Sequence, residues 1–251
     1  MRTLVFAFIL GAGLVMVRCT QDNTAPTKAT VQLEMRATTT LSTLNPAGRT
    51  EATGLTFDSV MLGVTRMKFQ TQDETHHESE MDSLHGMNSD DESDSLVSQF
   101  KGPFIVDLIK GTSTPDFGIA TLLPGVFEQV KFKLGPVLPD GNSIFISFTY
   151  LPNGATTSVK VVYSTKARLK LEIKKKGGFN IDVASLHPIL VTLDLDLLFS
   201  NIDLSSAVAD TNGVVRINSN SNAALAELIT RNLREGMKTG EDKNHDHHID
   251  D

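Results

Sequence analysis

Oxygen-bearing side chains alternate near the end of the sequence: Asp242, Asn244 and Asp246, then His248 and Asp250. A hard cation such as Ca2+ takes about six to eight oxygens, and a tight loop with a ligand at every second residue can supply several of them. The backbone carbonyl of His248 would add one more. The same stretch carries His245, His247 and His248, and imidazole among carboxylates suits zinc, copper or nickel better than calcium. A second polar stretch, 70–99, adds His76, His77 and His85 to nine Asp and Glu residues, with no Lys or Arg. Six of the seven histidines therefore fall in two acidic segments, a pattern that suits loose binding of divalent transition ions. Ligands on unordered chain lose entropy when they close on an ion, so weak affinity is expected for Ca2+ and Zn2+ alike. The competing reading of 242–250 is a solvated acidic tail.

Other candidates are thinner. His187, directly before Pro188, reads as a turn residue for which sequence offers no partner. Asp194 and Asp196 are spaced to share a strand face, either facing solvent or pairing across strands with Lys160, Lys170 and Lys174. Lys174, Lys175 and Lys176 precede Gly177-Gly178, where a charged hairpin tip could touch anionic headgroups or glycans. There is no G-x-S-x-G elbow, phosphate-cradling glycine loop or H-E-x-x-H pair. With no Trp, and with Tyr150 and Tyr163 both placed in strands, stacking platforms for sugar are scarce. A net charge of −7 argues against a nucleic-acid partner.

These residues need a scaffold, and period-two alternation supplies one. Val130, Phe132 and Leu134 alternate with lysines, and Ile144, Ile146, Phe148 and Tyr150 form the next set. Val159, Val161 and Tyr163 follow, then Leu169, Leu171 and Ile173, then Ile189 through Leu193 to Leu197. Such alternation makes strands with one dry face and one wet face. Val31, Leu33 and Met35 give a first strand, and Val60, Leu62 and Val64 shift phase near Thr65 before Met67 and Phe69, which predicts a bulged long strand. A short strand is expected over 104–109 and another over 213–217. Asp140-Gly141, Asn153-Gly154 and Gly177-Gly178 read as hairpin turns, which favours a mainly β, antiparallel β-sandwich. Leu225, Leu228, Ile229 and Leu233 predict one C-terminal helix, capped by Asn220 or Ser221 and ended by Gly236 and Gly240.

The sequence starts with Met1-Arg2-Thr3 and an apolar run over 4–17, fourteen residues, which suits an export signal better than a membrane span. Its single cysteine, Cys19, follows at once, so no intrachain disulfide is possible. A lone cysteine there resembles the lipidated cysteine of bacterial lipoproteins, although Arg18 stands where a small residue usually precedes it. An ordinary secreted protein or an uncleaved anchor are the alternatives. The expected organisation is a signal over 1–19, a polar tether over 20–30, and a sandwich over 31–219 interrupted by a disordered acidic insertion over 70–99. A helix and acidic, His-rich tail over 220–251 complete it.

Three runs carry a wider resemblance: Val106-Asp107-Leu108-Ile109, Leu123-Pro124-Gly125-Val126-Phe127 and Asp203-Leu204-Ser205-Ser206-Ala207. In their order the chain from 104 onward resembles an uncharacterised domain family of bacterial, Bacteroidetes-type lipoproteins. That resemblance implies a transthyretin-like, or more loosely Ig-like, β-sandwich and no known enzymatic activity. The 242–250 stretch separately resembles a degenerate EF-hand loop, with His247 where glycine makes the sharp turn and position 12 two residues past Asp251.

The expectation is a non-enzymatic, lipid-anchored binding or structural module of the bacterial envelope, on the outer membrane or the periplasmic face. Its partner would be a protein or glycan, with divalent cations as accessory ligands. A periplasmic or surface metal-buffering protein is the alternative. A hydrolase-type enzyme comes third and would need Asp194, His187 and Glu128 to meet in one cleft.

Overall fold

The computed structural model describes residues 28–39, 50–52 (backbone only), 54–71, 99–152 and 154–250. The apolar start with Cys19, the core of the acidic insertion with His76, His77 and His85, and the turn residue Asn153 lie outside them.

The alternating runs become strands at the places their period marks. Ala29–Thr38 is β1, Thr50–Ala52 is β2 and Leu55–Thr71 is β3. Gln99–Asp107 is β4, Thr112–Thr114 is β5, Ile119–Leu122 is β6 and Gly125–Leu134 is β7. Ile144–Tyr150, Val159–Thr165, Leu169–Ile181 and Leu186–Asp194 are β8 to β11. A short helix α1, Leu195–Leu198, precedes β12, Val215–Ile217. Helix α2, Ala223–Gly236, then runs into β13, Met237–Glu241.

These strands make two sheets. One has the order β13-β11-β1-β6, and the other runs β10-β7-β3-β8-β9-β12 with β2, β4 and β5 on the far edge of β3. Their apolar faces, with residues of α2, enclose one contiguous core. In β3 the residues Phe57, Val60, Leu62, Val64, Met67 and Phe69 are all fully buried. Phe57, Phe148 and Phe199 pack with ring centroids 4.8–5.4 Å apart. Helix α2 buries Ala226, Ile229 and Leu233, and Tyr163 Oη lies 2.9 Å from Thr230 Oγ1.

The bulge expected near Thr65 is present: the register of β3 slips between Val64 and Arg66 against both neighbours. Just before it, β3 changes partner. Residues 55–62 pair with β8, and 64–71 pair with β7 on the same edge. The hand-over falls at Gly63, whose N–H donates to Ser143 O at 2.8 Å and whose carbonyl accepts from Gly135 N at 3.0 Å. A Cβ on Gly63 would stand 2.6 Å from the Gly135 carbonyl oxygen, so no side chain fits there.

Several expectations are corrected. The sandwich is mixed rather than antiparallel, because β1 runs parallel to β11 and β12 parallel to β9. Alternation reports which face is dry and says nothing of strand direction. Gly177-Gly178 is no hairpin turn: β10 continues through both at positive φ, with a bulge between Lys174 and Phe179. The strand from Ile189 stops at Asp194, whose carboxylate accepts from Leu197 N at 3.0 Å and caps α1, so a second helix replaces the strand's expected end. Helix α2 starts after Asn222, in the left-handed region at φ 54°, rather than after Asn220 or Ser221. Asn222 spends its side chain on Val208 and Arg216 instead. Gly236 does end the helix, whereas Gly240 sits inside β13.

Replacing Gly63 by Ala should lower unfolding stability by about 1–3 kcal/mol, since the backbone it meets cannot rotate away as a side chain would. Urea denaturation of Gly63→Ala beside the parent checks this, and an unchanged midpoint would show that the strand relaxes freely.

Candidate functional site

The acidic C-terminal loop does not follow the helix directly, because β13 intervenes and pairs with β11 from Met237–Leu193 to Glu241–Ile189. Little in Met-Lys-Thr-Gly-Glu announces a strand, since only Met237 is apolar on its inward side. After it the chain doubles back, and Asp250 N donates to Glu241 O at 2.8 Å. The alternating oxygens fold this loop on itself. Asp242, 3% exposed, accepts from Asp246 N and His247 N, each at 3.1 Å. Asn244 Oδ1 accepts from Asp246 N at 3.0 Å, and Asp246 Oδ1 accepts from His248 N at 2.8 Å. Asp250 Oδ2 accepts from Lys243 N at 2.6 Å. The turn for which sequence offers no glycine is made by His247 itself, at φ 65°, with His245 at φ 58°.

Each carboxylate keeps further lone pairs, yet among the described residues no three His, Cys, Asp or Glu side chains converge as an ion-holding group. His245, His247 and His248 do not share a centre. His247 Nδ1 faces Glu34 Oε1 of β1 at 3.3 Å, while His248 Nδ1 lies 3.0 Å from the carbonyl of Asp246 and His245 is exposed. The first effect on the Asp246 carboxyl is the N–H of His248, which holds it below the ordinary range.

His187, expected as a partnerless turn residue, is 7% exposed within β11. Asp182 N donates to its Nε2 at 3.1 Å, which in the neutral ring leaves the proton on Nδ1, 3.0 Å from Glu241 Oε1. Lys243 Nζ holds the other oxygen of Glu241 at 2.9 Å. Burial raises the Glu241 carboxyl, but the hydrogen bonds from His187 and Lys243 and the charge of the lysine outweigh it and set it below its ordinary value. This cluster clasps the end of β13 to β11. Residue 187 and residue 241 are far apart in sequence and meet only through sheet pairing, so no local signal marked them.

The remaining expectations disperse. Asp194 caps α1 and Asp196 lies in its first turn, so they share no strand face; Lys160, Lys170 and Lys174 stand in the other sheet, on β9 and β10. Tyr150 Oη donates to Leu204 O at 3.2 Å, and Tyr163 is buried, so both phenols serve the fold. Asp194, His187 and Glu128 line no common cleft among the described pockets.

A groove of about 500 Å³ lies where β3 changes partners. Met61, Ile109, Leu138, Pro139 and Phe145 give it an apolar floor. Asp58, Asp107 and Asp140 stand around it, with Ser59 and Asn142, and Lys110 pairs with Asp107 at 3.1 Å. Nothing in the sequence joins these carboxylates and this floor into one site, because β3, β4, β8 and two loops contribute them separately.

Comparison with protein-family models, with curated proteins and with solved structures gave no match. Among the described residues no helix is long and apolar enough to cross a membrane.

Two outcomes are expected. Asp242→Ala takes the acceptor from His247 N and leaves Asp246 N with Asn244 Oδ1 alone, and should cost about 1–3 kcal/mol in chemical denaturation. Because the Glu241 carboxyl is lowered in the folded chain, its contribution is complete above the ordinary glutamate range and is lost as pH falls through the folded value. Acidification below about pH 4 should therefore reduce stability less in Glu241→Gln than in the parent, as read by denaturation midpoints across that window.

Proposed function

We propose that this chain is a lipid-anchored, non-enzymatic binding module of a bacterial cell envelope, built on a transthyretin-like sandwich. The observation that carries the binding role is the groove at the β3 hand-over. Its lining residues offer an apolar floor and three carboxylates, one of them, Asp107, paired with Lys110, and Ser59 and Asn142 as neutral hydrogen-bonding groups. That set suits recognition of a basic, partly apolar segment of a partner protein by desolvation and charge. It pairs no nucleophile with a base, and the buried His187 is committed to holding two strands together.

Anchoring rests on the apolar run over 4–17 that ends at Cys19. Nine residues, 20–28, separate Cys19 from the start of β1. Mass spectrometry of protein extracted from membranes tests this. A diacylglyceryl adduct on the Cys19 peptide, with residues 1–18 removed, is expected. An intact segment joining Arg2 to an unmodified Cys19 would end the anchored reading.

A further inference from the structure

Helix α2 carries a polar stripe beside the apolar one it buries. Glu227, Arg231 and Arg234 recur at i, i+4 and i+7, so they share one side of the helix. That side meets Leu169 and Leu171 of β10 around a pocket of about 260 Å³. Leu171 is buried and Leu169 packs half-buried against the core, which makes the floor apolar. Thr230 completes the lining, but its hydroxyl proton goes to Ala226 O at 2.7 Å. The side-chain donors left to the pocket are therefore the two exposed guanidinium groups. Glu227 precedes Arg231 by four residues and Glu235 follows it by four, the spacing at which helix ion pairs form. Among the described residues, neither guanidinium is held in such a pair.

We propose that this pocket binds a small aliphatic carboxylate, its carboxyl group across Arg231 and Arg234 and its tail on Leu169 and Leu171. A guanidinium presents a planar fork that matches a carboxylate, and two of them one helical turn apart flank a single anionic group. The volume limits the tail. Pockets for drug-sized ligands span about 300–1,000 Å³, and this one is smaller, so it takes a chain of a few carbons rather than a long lipid. Glu227 limits the charge. Two arginines less one glutamate leave +1, which suits a monoanion and opposes a phosphate dianion. No aromatic side chain lines the pocket to stack on a base or sugar. The pocket shares no residue with the groove at the β3 hand-over, so the two sites stand or fall separately. A free short-chain acid and a polypeptide C-terminus that ends in an aliphatic residue both present this chemistry.

The test titrates hexanoate into the full chain with Cys19→Ser, which removes the acylation site, and follows leucine methyl and arginine Nε–H resonances by NMR. Leu169, Leu171, Arg231 and Arg234 should shift together, with a dissociation constant of about 1 mM. Acetate, which lacks the tail, and hexanol, which lacks the charge, should each bind about tenfold more weakly or worse. Combined Arg231→Gln and Arg234→Gln should weaken hexanoate about tenfold or more, with circular dichroism unchanged. Removing equal charge elsewhere, by Lys101→Gln and Lys238→Gln, should leave it intact. Glu227→Gln should tighten hexanoate about two- to fivefold. An acetylated peptide ending in leucine separates the two sources. Displacement of hexanoate by its free carboxyl form and not by its amide assigns a polypeptide C-terminus, and displacement by neither assigns a free acid. Hexanoate binding that survives loss of both arginines, that acetate or inorganic phosphate equals, or that leaves Leu169 and Leu171 unshifted overturns the proposal.

Discussion

At Gly63 the central strand of the larger sheet gives up one neighbour and takes another, and the Gly135 carbonyl lies where any side chain would begin. Two backbones cannot approach that closely around a Cβ. The close pass lets a single strand of seventeen residues serve β8 along one half and β7 along the other. It also folds the chain between β7 and β8 back against the sheet, which brings Leu138, Pro139 and Asn142 beside Met61 and Phe145 and so builds the groove. The Phe57–Phe148–Phe199 and Phe69–Phe127–Phe179 clusters then fill the interior on either side of the switch.

Strand positions were legible in the sequence because burial on one face imposes a period of two, and the slip at Thr65 appeared as a change of phase. Direction was not legible, and β1 beside β11 is the clearest case. Val31, Leu33 and Met35 would read identically whichever way their neighbour ran. Strand β13 was hidden for a different reason: its inward positions are Met237, Thr239 and Glu241, and only one of these is apolar. A polar residue faces inward there because His187 waits to bond it.

The spacing of Asp242, Asn244 and Asp246 was a true local signal of a closed turn. Oxygens at alternate residues accept backbone N–H groups as readily as they accept a cation, and here they hold a turn closed. The same limit applies to charge. Composition reports a modestly acidic chain, while the fold gathers Asp58, Asp107 and Asp140 at one groove and sets Lys170, Lys133, Arg66 and Lys101 side by side across four strands. Only cross-strand register, unreadable before the pairings are known, shows which charges are neighbours.

The parallel pairing of β1 with β11 has a bearing on biogenesis. Thr30 pairs with Leu186, and β11 in turn with Met237–Glu241, so the smaller sheet closes only once those distant residues are available. Before that, β1 has only β6 to pair with and keeps one open edge. A sheet wired this way depends on partners far apart in sequence, where one made of successive hairpins forms piece by piece.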